Sequence, residues 1–110
     1  MNYYTMPGID RTARRERVDK IIGLVAQAFM LAPEILVSNN TRKRNVVMAK
    51  QMAMKLIRMY CKIPLSEIGI LFNQDHTTVI HHCRKVDDLR YSDEEYDKIY
   101  LSLESLAILL

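Results

Sequence analysis

The sequence has little of what a disulfide-stapled, secreted or membrane-spanning protein needs. Its 110 residues carry two cysteines, Cys61 and Cys83. Both sit inside apolar helical patterns, which makes them small core hydrophobes rather than a disulfide framework or a zinc set. Charges interrupt every apolar run before it reaches bilayer length, and the Met1–Met6 start lacks the basic-then-apolar layout of a signal peptide. There is no strand-like alternation and no internal repeat. The Gly-x-x-x-x-Gly-Lys-Ser/Thr loop that cradles nucleotide phosphates is missing, and no serine, cysteine or paired-carboxylate arrangement suggests an enzyme. These absences point to a cytoplasmic, non-enzymatic chain without cofactor or membrane contact, long enough to bury one core of its own.

What is present is charge of uneven distribution. The net charge is +3, but residues 40–86 hold nine Lys/Arg against two Asp/Glu, whereas residues 87–110 hold two against seven. A basic middle beside an acidic end is the footprint expected for a polyanion ligand, and the same cations also suit solvated helix faces.

The hydrophobic periodicity predicts an all-α fold of about six helices, with an N-terminal arm over 1–9 and one domain over 10–110. Asp10 suits a cap for a helix over about 10–31, in which Val18, Ile21, Ile22, Val25, Ala28 and Phe29 recur at steps of three and four. Ala32-Pro33 stops it, and Pro33 suits the first position of a short helix, Pro33–Val37. A polar, capping-rich loop, Ser38-Asn39-Asn40-Thr41, runs into the basic triplet Arg42-Lys43-Arg44. A third helix over about 45–61 places Ala49, Met52, Ala53, Leu56, Ile57 and Tyr60 at core spacing, its methionines serving as adaptable filling. Pro64 opens a short helix, Leu65–Phe72. Asp75 caps the next, about 76–90, whose seam is Val79, Cys83, Val86 and Leu89. A capping box at Ser92-Asp93-Glu94-Glu95 starts the last helix, which is expected to bury Tyr96, Ile99, Tyr100, Leu103, Leu106, Ala107 and Leu110.

Two short helices joined by a tight turn, with a glycine in the first and a capped start to the second, outline a helix-turn-helix at about 65–90. At about 100° per residue, Thr77, His81, Arg84 and Lys85 point away from Val79, and Thr78 sits at the flank. The first turn of such a helix touches base edges in the major groove. Asp75 can accept from a cytosine amino group, His76 can donate to guanine, and the Thr77 methyl can pack on a thymine methyl. Arg84 and Lys85, farther along, suit phosphates. Each residue also has a plainer role open to it, Asp75 as a cap only and His76 as a solvated side chain. A metal site at His76, His81, His82 and Cys83 is disfavoured, because these positions lack the three- or four-residue spacing that puts ligands on one helix face.

Gln51-Met52-Ala53-Met54-Lys55-Leu56, Leu65-Ser66-Glu67-Ile68-Gly69 and Asp75-His76-Thr77-Thr78-Val79-Ile80-His81, followed by Cys83-Arg84-Lys85-Val86, resemble the C-terminal DNA-binding domain of the DnaA family of bacterial chromosomal replication initiators. The likeness spans about residues 15–107. It implies a helix-turn-helix domain that binds double-stranded DNA, as a monomer, at DnaA-box-like sites in origins and promoters, with nucleoid association. It also implies base contacts from Asp75, His76 and Thr77 in the major groove and from Arg42 in the minor groove. Backbone contacts are implied at Arg44, Lys50, Gln51, Arg58, Ser66, Thr78, His81 and Lys85. The chain departs from the family pattern at Asn73-Gln74, where Gly-Gly-Arg is usual, at His82, where a small residue is usual, and in having lysine at position 50 where arginine is common. The alternative is an interaction module on the same fold, with altered or lost DNA specificity, that binds a replication or regulatory protein. A Met1 start just before the fold favours a standalone chain over a fragment of a longer initiator.

Overall fold

The computed structural model describes residues 11–38 and 42–110. The N-terminal arm, the Asp10 cap and Asn39-Asn40-Thr41 lie outside the described residues. Within them the chain forms six helices and no strand: α1 Arg11–Ala28, α2 Pro33–Val37, α3 Arg44–Tyr60, α4 Leu65–Phe72, α5 His76–Ser92 and α6 Glu94–Ala107.

Helix α3 is the axis of the fold and packs against each of the other five. Its middle has no solvent face. Ala49, Lys50, Gln51, Met52, Ala53 and Met54 are buried in unbroken succession, as in a helix covered on all sides. Around it, Val18, Ile21 and Val25 of α1, Ile68 and Phe72 of α4, and Val79, Cys83 and Val86 of α5 close one continuous core. Each such Leu, Ile, Val or Phe contributes roughly 1.5–3 kcal/mol when fully withdrawn from water. Cys61 and Cys83 are free and buried, and burial pushes both thiols up from their ordinary range. They act as core filler, as expected.

Two boundaries and several core positions differ from expectation. Helix α1 stops at Ala28, short of the proline, because Met30 turns left-handed (φ 55°) and the Leu31 amide donates back to the Ala26 carbonyl at 2.8 Å. That is a Schellman-type ending made without glycine. As a result Ala28 is exposed and Phe29 half-buried. The last helix is capped by Asp93, whose carboxylate accepts from the Tyr96 amide at 3.1 Å. Ser92 belongs to α5, where its hydroxyl donates to the Asp88 carbonyl. In α6, Tyr96, Tyr100, Leu103 and Ala107 are buried, but Leu106 is exposed, as is Leu110 beyond the helix end. A single stripe suffices to cover the core, and these two leucines fall outside it.

Polar contacts lock the acidic end onto the core. Arg90 of α5 meets Asp97 of α6 at 2.6 Å and lies 4.0 Å over the Tyr100 ring. Tyr60 of α3 donates to Glu104 at 2.6 Å.

Candidate nucleic-acid interface

The two helices of the outline, α4 and α5, are joined by Asn73-Gln74-Asp75. Asn73 adopts a left-handed conformation (φ 54°), and the Gln74 amide donates to the Gly69 carbonyl at 2.7 Å. Asn73 thus does the work of the glycine usual at a helix end, since asparagine tolerates this geometry better than other side chains. The returning backbone comes so close that a Cβ on Gly69 would stand 2.3 Å from the Gln74 carbonyl oxygen. Gly69 is therefore a steric requirement of the turn.

Asp75 then starts α5. Its Oδ1 accepts from the Thr77 amide at 2.7 Å and stands 3.9 Å from the His76 Nδ1. Supplying an acceptor to an otherwise unpaired amide fixes the first turn. Val79, Cys83, Val86 and Leu89 are buried beneath it. Asp75, His76, Thr77, His81, Arg84 and Lys85 are exposed, and Thr78 is half-buried at the flank. The outward face is the one that helical spacing assigned.

The second basic element is the approach to α3. Arg42, Lys43 and Arg44 are exposed, and the N-cap position, Lys43, supplies no side-chain hydrogen bond to the helix. With no acidic residue in the first turn of α3, the positive end of its dipole adds to the three cations and favours an anion there. Across an open cleft from Arg44 stand Asp93, Glu94 and Glu95 at the start of α6, so negative charge bounds the basic surface on that side.

Arg58, Ser66, His81 and Lys85 are exposed, as phosphate contacts must be. Lys50 and Gln51 are not: both are buried. The Lys50 ammonium donates to the Ser38 carbonyl, and burial lowers its pKa from the ordinary lysine value. The Gln51 amide nitrogen lies 3.0 Å from Nδ1 of His82. The resemblance implied that these two face phosphates; their side chains make contacts inside the protein instead, because α3 has neighbours on every side. Lys55 pairs with Asp87 at 3.2 Å and ties α3 to α5. Nothing in local sequence singles out the Gln51–His82 contact, which joins residues 31 apart.

The family described as bacterial dnaA protein helix-turn-helix matches residues 18–86, from the first buried valine of α1 to the last turns of α5. The chain belongs to the bacterial DnaA helix-turn-helix family. The chromosomal replication initiator protein DnaA of Flavobacterium psychrophilum is 38% identical over 91 residues, 82% of this chain and 19% of that protein. That of Thermus thermophilus is 42% identical over 85 residues, 76% of this chain and again 19% of the relative. A crystal structure titled DNA replication initiation factor superposes with a TM-score of 0.76 at 30% identity, covering 92% of this chain and 32% of that one. The chain thus spans 19% of the length of these curated DnaA relatives. Among the described residues, no helix is long and apolar enough to cross a membrane, and no group of His, Cys, Asp and Glu is arranged to hold a metal ion.

Proposed function

We propose that the chain binds double-stranded DNA sequence-specifically, as a monomer, reading DnaA-box-like sites in replication initiation or its regulation and lacking ATPase activity of its own. The observation that carries this reading is the first turn of α5. Asp75 caps it, His76 and Thr77 project from it into solvent, and the buried Val79-Cys83-Val86 seam lies on the side of α5 that packs against α3. Preorganised polar groups on a rigid helix are what base-edge recognition in the major groove requires. Membership of the DnaA family supports the choice of site class. Arg42 would add a minor-groove contact, where a narrow A·T-rich groove concentrates negative potential. Arg44, Arg58, Ser66, Thr78, His81 and Lys85 would hold the backbone and set the register.

Selection of bound sequences from a random duplex pool tests the reading, followed by titration of His76→Ala and Thr77→Ala against the selected site and scrambled DNA. Each variant is expected to melt like the parent within the ~0.5 kcal/mol typical of surface changes. His76→Ala should lose on the order of 1–3 kcal/mol at the selected site while nonspecific binding barely moves. If both variants keep the parent's preference for the selected site, base reading does not reside in this turn. The interaction-module reading, with a replication or regulatory protein as partner, then takes its place.

A further inference from the structure

Lys50 and Gln51 are adjacent in α3, and they hold the two elements on which DNA reading would depend. The Lys50 ammonium donates to the carbonyl of Ser38, which ends α2 and begins the segment leading to Arg42. A cation at the carbonyl end of a helix is favoured by the dipole and by otherwise unpaired carbonyls. The far end of that segment, Arg44, is the first residue of α3 itself. Ser38 before Arg42 and Arg44 after it are thus both held to α3. Gln51 reaches the other way. Its amide lies 3.0 Å from the His82 Nδ1, and His82 is half-buried on the flank of α5 shared by Thr78 and Lys85. Burial, and secondarily the nearby Lys50 and His81 charges, hold the His82 imidazole below its ordinary value. In the neutral ring with its proton on Nε2, Nδ1 accepts from the amide.

We propose that Lys50-Gln51 is a brace that sets the basic segment at a fixed offset from the recognition helix, so that both are positioning residues rather than phosphate contacts. The proposal rests on the DNA-binding reading and deepens it. A protein that reads two grooves at once needs its two reading elements placed before binding, since ordering them on the DNA would cost affinity. A Lys50 drawn out to a phosphate would give up its part-buried hydrogen bond to the Ser38 carbonyl, a loss of the kind that makes such a swing unfavourable. His82 gives Gln51 a partner inside the protein.

The test compares the parent, Lys50→Met, Arg42→Ala and the double variant by titration at several salt concentrations. The duplexes carry the selected core or a scrambled one, each with A·T-rich or G·C-rich flanks. A brace predicts that Lys50→Met reduces the A·T-flank preference as much as Arg42→Ala does, about tenfold, the scale of one lost groove contact. Preference for the selected core should survive, and in the Arg42→Ala background Lys50→Met should add nothing. A phosphate contact predicts the opposite: in that background, Lys50→Met weakens all duplexes alike and flattens the salt slope by about 0.9, and this result overturns the brace. NMR order parameters judge the brace without DNA. Lys50→Met should lower them at Ser38 and residues 42–44, and His82→Ala should lower them in the first turn of α5. If Lys50→Met melts too low to titrate, His82→Ala carries the test: it should reduce core preference and spare flank preference, and unchanged order parameters and core preference together sink the proposal. A parent with no site preference refutes the DNA-reading function instead, leaving the order parameters to decide the brace.

Discussion

Replacing either described helical glycine with alanine should have opposite consequences, and the pair tests whether the turn between α4 and α5 is sterically determined. At Gly23, in the middle of α1, an added Cβ meets nothing within 4 Å. Alanine is the better helix former by roughly 0.8–1.0 kcal/mol, so Gly23→Ala should stabilise the fold by up to about that amount. At Gly69 the same methyl would stand 2.3 Å from a backbone carbonyl oxygen. That carbonyl belongs to Gln74, whose amide is held at 2.7 Å by the Gly69 carbonyl itself. The backbone must retreat by close to an ångström, and overpacking of this kind costs typically 1–3 kcal/mol. The strained hydrogen bond adds about 1 kcal/mol, which the gain in helix propensity roughly offsets. A net loss of about 1–3 kcal/mol remains, a fall in Tm of roughly 4–12 °C for a domain of this size, against a rise of up to about 4 °C for Gly23→Ala. Because the retreating residues lead directly into Asp75, Gly69→Ala should also lower the preference for the selected DNA site even at temperatures where it is fully folded. Differential scanning calorimetry and the site titration measure both effects. Equal Tm shifts of the same sign in the two variants would refute the reasoning.

Asp75→Ala should cost about 1 kcal/mol of stability through loss of the cap, and Asp75→Ser, which can still cap, should recover most of it without restoring site preference; melting and titration separate the two roles. Because His82 is held below its ordinary pKa of 6.5, the unfolded chain takes up the proton at higher pH than the folded one. The stability this contributes is present above about pH 6.5 and is lost as pH falls through the folded value. The parent's Tm should therefore drop more than that of His82→Ala on acidification from about pH 7 to 5, and parallel profiles would remove His82 from the account. With roughly four to six phosphates contacted, log K against log salt should slope at about −4 to −5, and a salt-independent complex would contradict the electrostatic reading. Met30→Gly should stabilise by roughly 0.5–1 kcal/mol, seen as a higher denaturant midpoint, because it relieves a left-handed conformation at an exposed methionine.

Much of the fold and of the candidate interface was determined by local sequence, because the physics that produces those features is local. Pro33 opens a helix because its missing amide costs nothing in the first turn, and Pro64 stands at the start of α4 because it cannot extend α3. Asp75 announces the start of α5 because a carboxylate two residues before an unpaired amide is sufficient to cap it. Val79, Cys83 and Val86 fix which side of α5 is buried, and hence which side carries Thr77, His81 and Arg84. Tertiary structure decided what depends on how many neighbours a helix has and where the chain turns back. The family resemblance implied a phosphate contact at Lys50, yet α3 is enclosed, so its ammonium caps α2 and the adjacent glutamine bonds to α5. Helix α1 ends at a left-handed Met30, a cost of about 1–2 kcal/mol that no propensity favours and that only the backbone's return toward α2 and the core accounts for. Leu106 has the composition of a core stripe but lies outside it, because the buried width of α6 is set by the helices beneath it and not by its own sequence, and Leu110 is exposed beyond the point where α6 ends.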